Sequence, residues 1–380
     1  MKKILISYAS YGGGHLSAAK NLKEYIEENY SDTEVILFDF MKYINRVIDK
    51  IGIKAYSEIN TNIPWLWGQI YYRTQNPIFE KIFSLSNKVI SYKLARIFRL
   101  EKPDVIISTH FFSSHICSIL KKKGKIASKI GTVITDYGEN PYSEWISGHE
   151  NIDYIFVAHS GIKTTLIEKG VDKNKVFVTG IPISSRFLLD YNKKEIVENL
   201  NFSENKKTIL FFGGGEMGLG KSKTTEIFKT LIMEHPEFQI IVIAGKNEAL
   251  QTSFQEISNN YSSNNFVKIL GFTNKIPELM SISDLVITKP GGLTTTECLV
   301  SNLPIIIINP IPGQETENAD FLVNSGCGIW IQKSDNISET LNTILNDEEK
   351  LMQLKNNTKS VAKPNSTKDI CNLIFNTKEL

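Results

Sequence analysis

The chain has 380 residues, 41% hydrophobic and 22% charged, enough for two globular domains, each with its own core. Its 43 Lys and Arg against 41 Asp and Glu leave a formal charge of +2, which excludes a protein that grips nucleic acid over a broad basic face. Four scattered cysteines, Cys117, Cys298, Cys327 and Cys371, show neither metal nor disulfide spacing and fit a reducing cytoplasm.

The opening MKKILIS is basic, but its apolar run stops at Gly12-Gly13-Gly14, so it reads as a first strand and not a signal peptide. No apolar run reaches the length that spans a bilayer. Strand Ile4–Tyr8 leads through Tyr11-Gly12-Gly13-Gly14-His15 into a helix to about Glu28, and Asp32–Phe40 reads as the next strand. Residues 41–100 break this rhythm with two or three helices, ten Lys/Arg against three Asp/Glu, and ten aromatics including Trp65, Trp67, Tyr71 and Tyr72. That mixture suits an anionic lipid headgroup layer, to which Lys121, Lys122 and Lys123 add charge; it equally suits a solvated helix surface over an aromatic core. Strands return at Val105–Ser108, Gly131–Thr135, Tyr154–Val157 and Val176–Thr179. Helices near Ser113–Lys123 and Gly161–Lys169 lie between them.

After a polar stretch the pattern restarts. Strand Thr208–Phe212 runs into GGGEMGLGKSKTTEIF, followed by strands Gln239–Ala244, Val267–Leu270, Leu285–Thr288, Pro304–Asn309 and Gly328–Ile331. Two β/α halves, each opening with a glycine loop, predict two doubly wound domains with parallel sheets facing one another across a cleft. The divisions expected are 1–190, a linker at 191–206, a second domain at 207–362, and a last helix in 363–380 that can return to the first domain.

The most informative stretch is 284–318, DLVITKPGGLTTTECLVSNLPIIIINPIPGQETEN. Its two polar segments fall at the carboxyl ends of strands, where open α/β sheets bind ligands. Gly291 and Gly292 admit a ligand close to the backbone, and a helix from about Thr295 turns free N–H groups toward an anion. Thr294-x-x-Glu297 also fits a capping box, in which Glu297 merely closes the helix end. Gln314, Glu315, Glu317 and Asn318 gather amides and carboxylates suited to sugar hydroxyls. Residues 215–222 match the phosphate-loop pattern G-x-x-x-x-G-K-S. Against a nucleotide triphosphatase stand the lack of a later strand ending in a magnesium-holding Asp and the position of the match in mid-chain. His15, at a helix start that lowers imidazole basicity, suits a neutral general base.

The run TKPGGLTTTE…PIPGQETENA, with YGGGH, TDY and GIPI, resembles the processive diacylglycerol glucosyltransferases and monogalactosyldiacylglycerol synthases over nearly the whole chain. It is similar, more distantly, to the N-acetylglucosaminyltransferase of peptidoglycan synthesis. The resemblance implies a GT-B fold and an inverting transferase that moves a hexose, glucose by the likeness, from a UDP-sugar to diacylglycerol. It implies no essential metal and no cofactor beyond the UDP-sugar substrate, and no Asp-x-Asp pair of the metal-dependent kind is present. It places the protein in the cytoplasm, peripheral on the inner face of the membrane.

By the same resemblance Gly213, Gly214, Gly215, Gly218 and Gly220 wrap the UDP phosphates, and Gly271 and Phe272 flank the uracil. Lys289, Gly291, Gly292, Leu293, Thr294 and Thr295 face the phosphates, Glu297 holds the ribose, and Gln314, Glu315 and Asn318 hold the hexose. His15 or Asp136 is the base, with Gly13, Gly14, His110, Tyr137 and Trp145 on the acceptor side. One departure falls there: GENPYSEW stands where the glucosyltransferases carry a shorter Leu-His segment before a Trp. The competing reading is a UDP-sugar transferase with another acceptor.

Overall fold

The computed structural model describes residues 1–9, 13–40, 42, 94–95, 97–141, 143–213, 221–261 and 266–376. The chain divides into two compact units. One holds the residues up to Ser185 together with the segment from Lys363, and the other holds Arg186–Ala362.

In the first unit the strands are β1 (Lys2–Tyr8), β2 (Thr33–Asp39), β3 (Val105–Ser108), β4 (Lys129–Val133), β5 (Tyr154–Val157) and β6 (Val176–Val178). They form one sheet in the order β2-β1-β3-β4-β5-β6, every pair parallel. β3 (VIIS) and β5 (YIFV) are buried at every position, as strands covered on both faces must be. Helix α1 (Gly13–Asn29) buries Ala18, Ala19, Leu22 and Ile26, a stripe at helical spacing that packs on Ile4, Ile6 and Val105. Helices α2 (Phe111–Lys122), α3 (Ser143–Ile146) and α4 (Ser160–Glu168) follow.

The second unit has β7 (Thr208–Phe212), β8 (Gln239–Ile243), β9 (Val267–Leu270), β10 (Leu285–Thr288), β11 (Ile305–Ile308) and β12 (Gly328–Ile331). Their order is β12-β11-β10-β7-β8-β9, again all parallel. Its helices are α5 (Lys193–Asn199), α6 (Lys221–Glu234), α7 (Glu248–Tyr261), α8 (Ile276–Ser281), α9 (Gly292–Val300), α10 (Gln314–Asn324), α11 (Ile337–Leu345) and α12 (Glu348–Val361). Phe211, Phe228 and Phe254 pack ring on ring in its core. A Cβ at Gly213 would overlap the Phe254 ring, so glycine here is set by close packing.

The last helix, α13 (Ser366–Phe375), belongs to the first unit. The Phe375 ring stacks on Tyr30 at 3.7 Å, Lys2 Nζ donates to the Ile374 carbonyl at 2.8 Å, and Thr367 Oγ1 donates to the Ile183 carbonyl at 2.7 Å. Gly180 has φ 88° and sits where a Cβ would strike Lys363. The chain changes unit at Ser185–Arg186, so residues 191–206, where the sequence suggested a linker, lie with the second unit. They include α5, which packs on α8, and a loop pinned when buried Gln239 accepts from Ser203 N and donates to its carbonyl.

Both sheets have a point where the strand order reverses: between β1 and β3 in the first unit, between β7 and β10 in the second. Chains leaving two neighbouring strands there go to opposite faces and open a crevice at the carboxyl ends. Sequence alone did not reveal which strands were neighbours.

Candidate active site

At the first crevice, α1 begins at Gly13 just beyond β1, and Thr109 and His110 follow β3. His15 lies in the first turn of α1. Its Nδ1 is 2.6 Å from the Thr109 carbonyl oxygen, while Thr109 Oγ1 donates to the His15 carbonyl at 2.8 Å. A carbonyl only accepts, so Nδ1 carries the hydrogen and Nε2 carries the ring's lone pair. Burial pulls the His15 pKa down to about 4, and the bond to Thr109 opposes that shift, so the imidazole is neutral at pH 7. His110 packs edge-on at 4.7 Å between ring centroids, and Trp145 stands 6.4 Å away. A Cβ on Gly13 would meet nothing within 4 Å, so the helix start beside His15 is open.

His110 is buried and caps α2: its Nδ1 accepts from Phe112 N at 3.2 Å, which puts its own proton on Nε2. Burial first, then the neighbouring His15, hold its pKa well below the ordinary histidine value. Phe111 and Phe112 stack on it. Trp145, from α3, closes on Phe111 at 5.9 Å. Asp136 is partly exposed beyond β4, next to Thr135, whose Oγ1 lies 3.2 Å from His15 Nδ1. The Tyr137 carbonyl accepts from His159 Nε2 at 2.8 Å, and His159 caps α4 by accepting from Gly161 N at 3.2 Å.

At the second crevice two helices start side by side, α9 after β10 and α10 after β11. Both have glycine N-caps, Gly291 and Gly313, with no side-chain cap bond. The first intrahelical bond of α9 runs from Thr295 N to the Gly291 carbonyl at 2.8 Å. The helix therefore starts at Gly292, not near Thr295, and Thr294 is already inside the first turn. That corrects the capping-box reading: the cap is Gly291, and Glu297 stands three residues past the capping-box position. The extra turn arises because glycine supplies the cap conformation without a side chain to occupy the N–H groups behind it.

Glu297 is only partly exposed, and burial pushes its pKa up to about 8. Glu315, buried, accepts from Lys289 Nζ at 2.7 Å and from Ile311 N at 2.9 Å. Asn318, fully buried, donates to the Pro290 carbonyl at 2.9 Å. These bonds tie the 289–291 turn to α10, so Lys289 is held and not swinging free.

The comparisons with known proteins agree along the whole chain. Residues 15–183 match the monogalactosyldiacylglycerol (MGDG) synthase family, and residues 208–374 match the glycosyltransferase family 28 C-terminal domain. A processive diacylglycerol beta-glucosyltransferase of Bacillus pumilus is 33% identical over 379 residues, covering 100% of this chain and 96% of its own. Its Bacillus licheniformis counterpart is 31% identical with the same coverage. The chain belongs to this glycosyltransferase family.

Among solved structures, S. aureus MnaA with UDP matches at TM-score 0.62 and 17% identity, over 98% of this chain and 96% of its own. Acinetobacter baumannii MurG matches at 0.60 and 14%, over 99% and 100%. At those identities the likeness speaks to fold alone, and with the two six-stranded parallel sheets it gives this chain a GT-B fold.

Within this glycosyltransferase the two crevices collect most of the sequence-derived residues. His15, His110, Trp145, Gly13 and Gly14 gather at the first. Lys289, Gly291, Gly292, Leu293, Thr294, Thr295, Gln314, Glu315 and Asn318 gather at the second. Gly213 follows β7 there, whereas Gly214, Gly215, Gly218 and Gly220 lie outside the described residues, as do residues 215–220 of the phosphate-loop match and the tryptophans of 41–100. Phe272, beyond β9, is 73% exposed with Lys246 Nζ 5.5 Å over its ring. Among the described residues no three His, Cys, Asp or Glu side chains gather as a metal site needs, and no helix is long and apolar enough to cross a membrane. Sequence reasoning missed Thr109 and Thr135, whose only signal was their place at strand ends just before His110 and Asp136.

Proposed function

We propose that this protein transfers a hexosyl group, with glucose favoured, from a UDP-sugar to diacylglycerol or a glycosyl-diacylglycerol at a membrane surface. The observation that carries this is the end-to-end match at 33% identity to a processive diacylglycerol beta-glucosyltransferase. The reaction proceeds with inversion and without a metal or further cofactor, on the cytoplasmic face of the membrane.

In this reading the acceptor oxygen attacks the anomeric carbon as the bond from that carbon to the UDP oxygen breaks. The acceptor's proton passes to His15 Nε2, whose lone pair is set free by the Nδ1–H bond to the Thr109 carbonyl. Asp136 stands one residue from Thr135 and is the other candidate base. The diphosphate gathers negative charge as it leaves. The uncapped N–H groups at the start of α9, its dipole and Lys289 stabilise that charge as fixed donors that need no reorganisation. By the family resemblance the glycines from Gly213 to Gly220 also serve the diphosphate. Glu297 accepts from the ribose hydroxyls, and Gln314 reaches the hexose. Glu315 and Asn318 act through the groups they hold, Lys289 and Pro290.

The test is UDP release from UDP-glucose, UDP-galactose and UDP-N-acetylglucosamine, with and without diacylglycerol in mixed micelles, and product analysis by mass. A glucosyl-diacylglycerol product with EDTA present supports the reading. UDP release that ignores diacylglycerol sinks the acceptor assignment. Binding to liposomes that is indifferent to anionic lipid and salt sinks the membrane assignment.

A further inference from the structure

The chain that leaves β4 touches the His15 site twice. Thr135 Oγ1 lies 3.2 Å from His15 Nδ1, and Trp145 stands 6.4 Å from the His15 ring and 5.9 Å from Phe111. After Asp136 and Tyr137 comes GENPYSEW, the stretch in which this chain departs from the glucosyltransferases it resembles. Ile134 N still bonds the Phe156 carbonyl at 3.0 Å, but 134–141 lie in no helix or strand, so no ladder of main-chain bonds sets their shape. A side chain from the next strand end holds them instead. His159, just past β5, donates from Nε2 to the Tyr137 carbonyl at 2.8 Å and stacks on the Tyr137 ring at 6.2 Å and 11°. Its Nδ1 accepts from Gly161 N at 3.2 Å and so caps α4. A carbonyl only accepts and an N–H only donates, so both neighbours demand the same neutral tautomer, with the hydrogen on Nε2. Burial lowers the His159 pKa, the Tyr137 bond and then Glu139 oppose that shift, and the ring is neutral at pH 7. A Cβ on Gly161 would lie 2.8 Å from Glu139 Oε1, so the Glu139 carboxylate rests at the start of α4, where the dipole favours negative charge.

We propose that His159 is a positioning residue for the acceptor: its Nε2–H latches the Tyr137 carbonyl and so sets the place of Asp136 and Trp145 beside His15. One ring does two jobs, one for each nitrogen. Nδ1 finishes a helix, which is a matter of stability. Nε2 holds the middle of a segment whose two ends reach the His15 site, which is a matter of where the acceptor hydroxyl can lie. His159 touches the loop and not the substrate. Its effect therefore belongs in the KM for the acceptor and not in UDP binding, which the proposed function assigns to the other sheet. The inference rests on the reading that the first crevice takes the acceptor.

The experiment splits the two nitrogens. Full-length wild type, His159→Asn, His159→Gln and His159→Ala are compared by steady-state KM values for diacylglycerol and UDP-sugar and by amide hydrogen exchange. Asparagine keeps an acceptor where Nδ1 stands, and is a good helix cap, but ends short of Nε2. Glutamine extends an amide N–H toward the Nε2 position. In the asparagine variant the start of α4 should exchange as in wild type, residues 134–141 should exchange faster, and the KM for diacylglycerol should rise about tenfold, the scale of one lost hydrogen bond. Glutamine should do the reverse: faster exchange at the start of α4, with 134–141 and the diacylglycerol KM restored. Alanine should lose both, and the KM for UDP-sugar should stay unchanged throughout. A diacylglycerol KM raised equally in the asparagine and glutamine variants marks a merely structural ring and overturns the proposal, as does a KM unmoved in alanine. The proposed function fails on a different result, a wild type that transfers nothing to diacylglycerol, and exchange at 134–141 then still decides whether His159 is the latch.

Discussion

The two units carry matching parallel sheets, each with a reversal of strand order, yet several of the helices that follow their strands are capped in different ways. In the first unit, α2 and α4 are closed by imidazoles: His110 and His159 accept from N–H groups of their own helices. In the second, α9 and α10 are capped by glycines with no side-chain bond. An imidazole cap consumes a helix's outward donor and puts a ring in its place, which suits a site that handles a proton among aromatic walls. A glycine cap leaves the donors and the positive end of the dipole exposed, which suits a site that receives a diphosphate. Under the proposed function the same topology serves a base in one unit and an anion in the other.

This contrast between the crevices can be broken at several points. The largest effect is expected at His15. His15→Ala should lower turnover about 10²–10⁴-fold with UDP affinity unchanged, measured by steady-state rates and calorimetry. Because burial has brought the His15 pKa down to about 4, the acid limb of the rate profile should fall well below the ordinary histidine value of 6.5. A limb at that ordinary value would assign the base elsewhere.

Next comes Glu297. Ribose hydroxyls donate best to an ionised carboxylate, and this one has a pKa of about 8. UDP binding should tighten as pH rises from about 7 to about 9 and release protons in calorimetry with buffers of different ionisation enthalpy. Glu297→Gln should bind about 10–100-fold more weakly and lose that pH dependence. The sign of its effect on stability is the reverse of its effect on binding. The folded state holds this proton more tightly than the unfolded chain, so a penalty absent below about pH 4.5 grows as pH rises toward 8. Glu297→Gln should therefore melt higher than wild type at pH 8 and equally at pH 4.5.

Smaller effects separate the glycines and the histidine caps. Gly313 has φ 103°, outside what a side chain tolerates, so Gly313→Ala should cost about 1–3 kcal/mol in denaturant unfolding and weaken UDP binding. Gly291 is extended at φ −67°, and an added Cβ would lie 3.8 Å from Glu315, so Gly291→Ala should leave stability within about 0.5 kcal/mol. His159→Ala should cost about 1 kcal/mol, the loss of one cap, with UDP binding intact. Equal responses at Gly313 and His159 would erase the distinction between open and closed caps.

All twelve strands among the described residues could be read from short apolar runs, because a buried parallel strand such as IIII or VIIS is written without alternation. The glycine-rich turns marked the carboxyl ends of β1, β7 and β10. The start of α9 was misplaced by three residues, since TTTE imitates a capping box that Gly291 pre-empts. Glu315 and Asn318 looked like sugar ligands by type. The structure adds that they also bond Lys289, Ile311 and Pro290, a fact about contacts that no spacing encodes.

Periodicity, glycine placement and residue chemistry by themselves settled that this is a two-fold α/β repeat whose histidine and polar clusters sit at strand ends. These are local properties, set by which side chains a buried strand or a helix start accepts. Only the tertiary structure decided that β1 lies beside β3 and β7 beside β10, and so that Thr109 and Thr135 meet His15 from far along the chain. Strand order depends on how helices fill both faces of a sheet at once. The free lone pair on His15 is a consequence of that packing, not of the residues on either side of it in the chain.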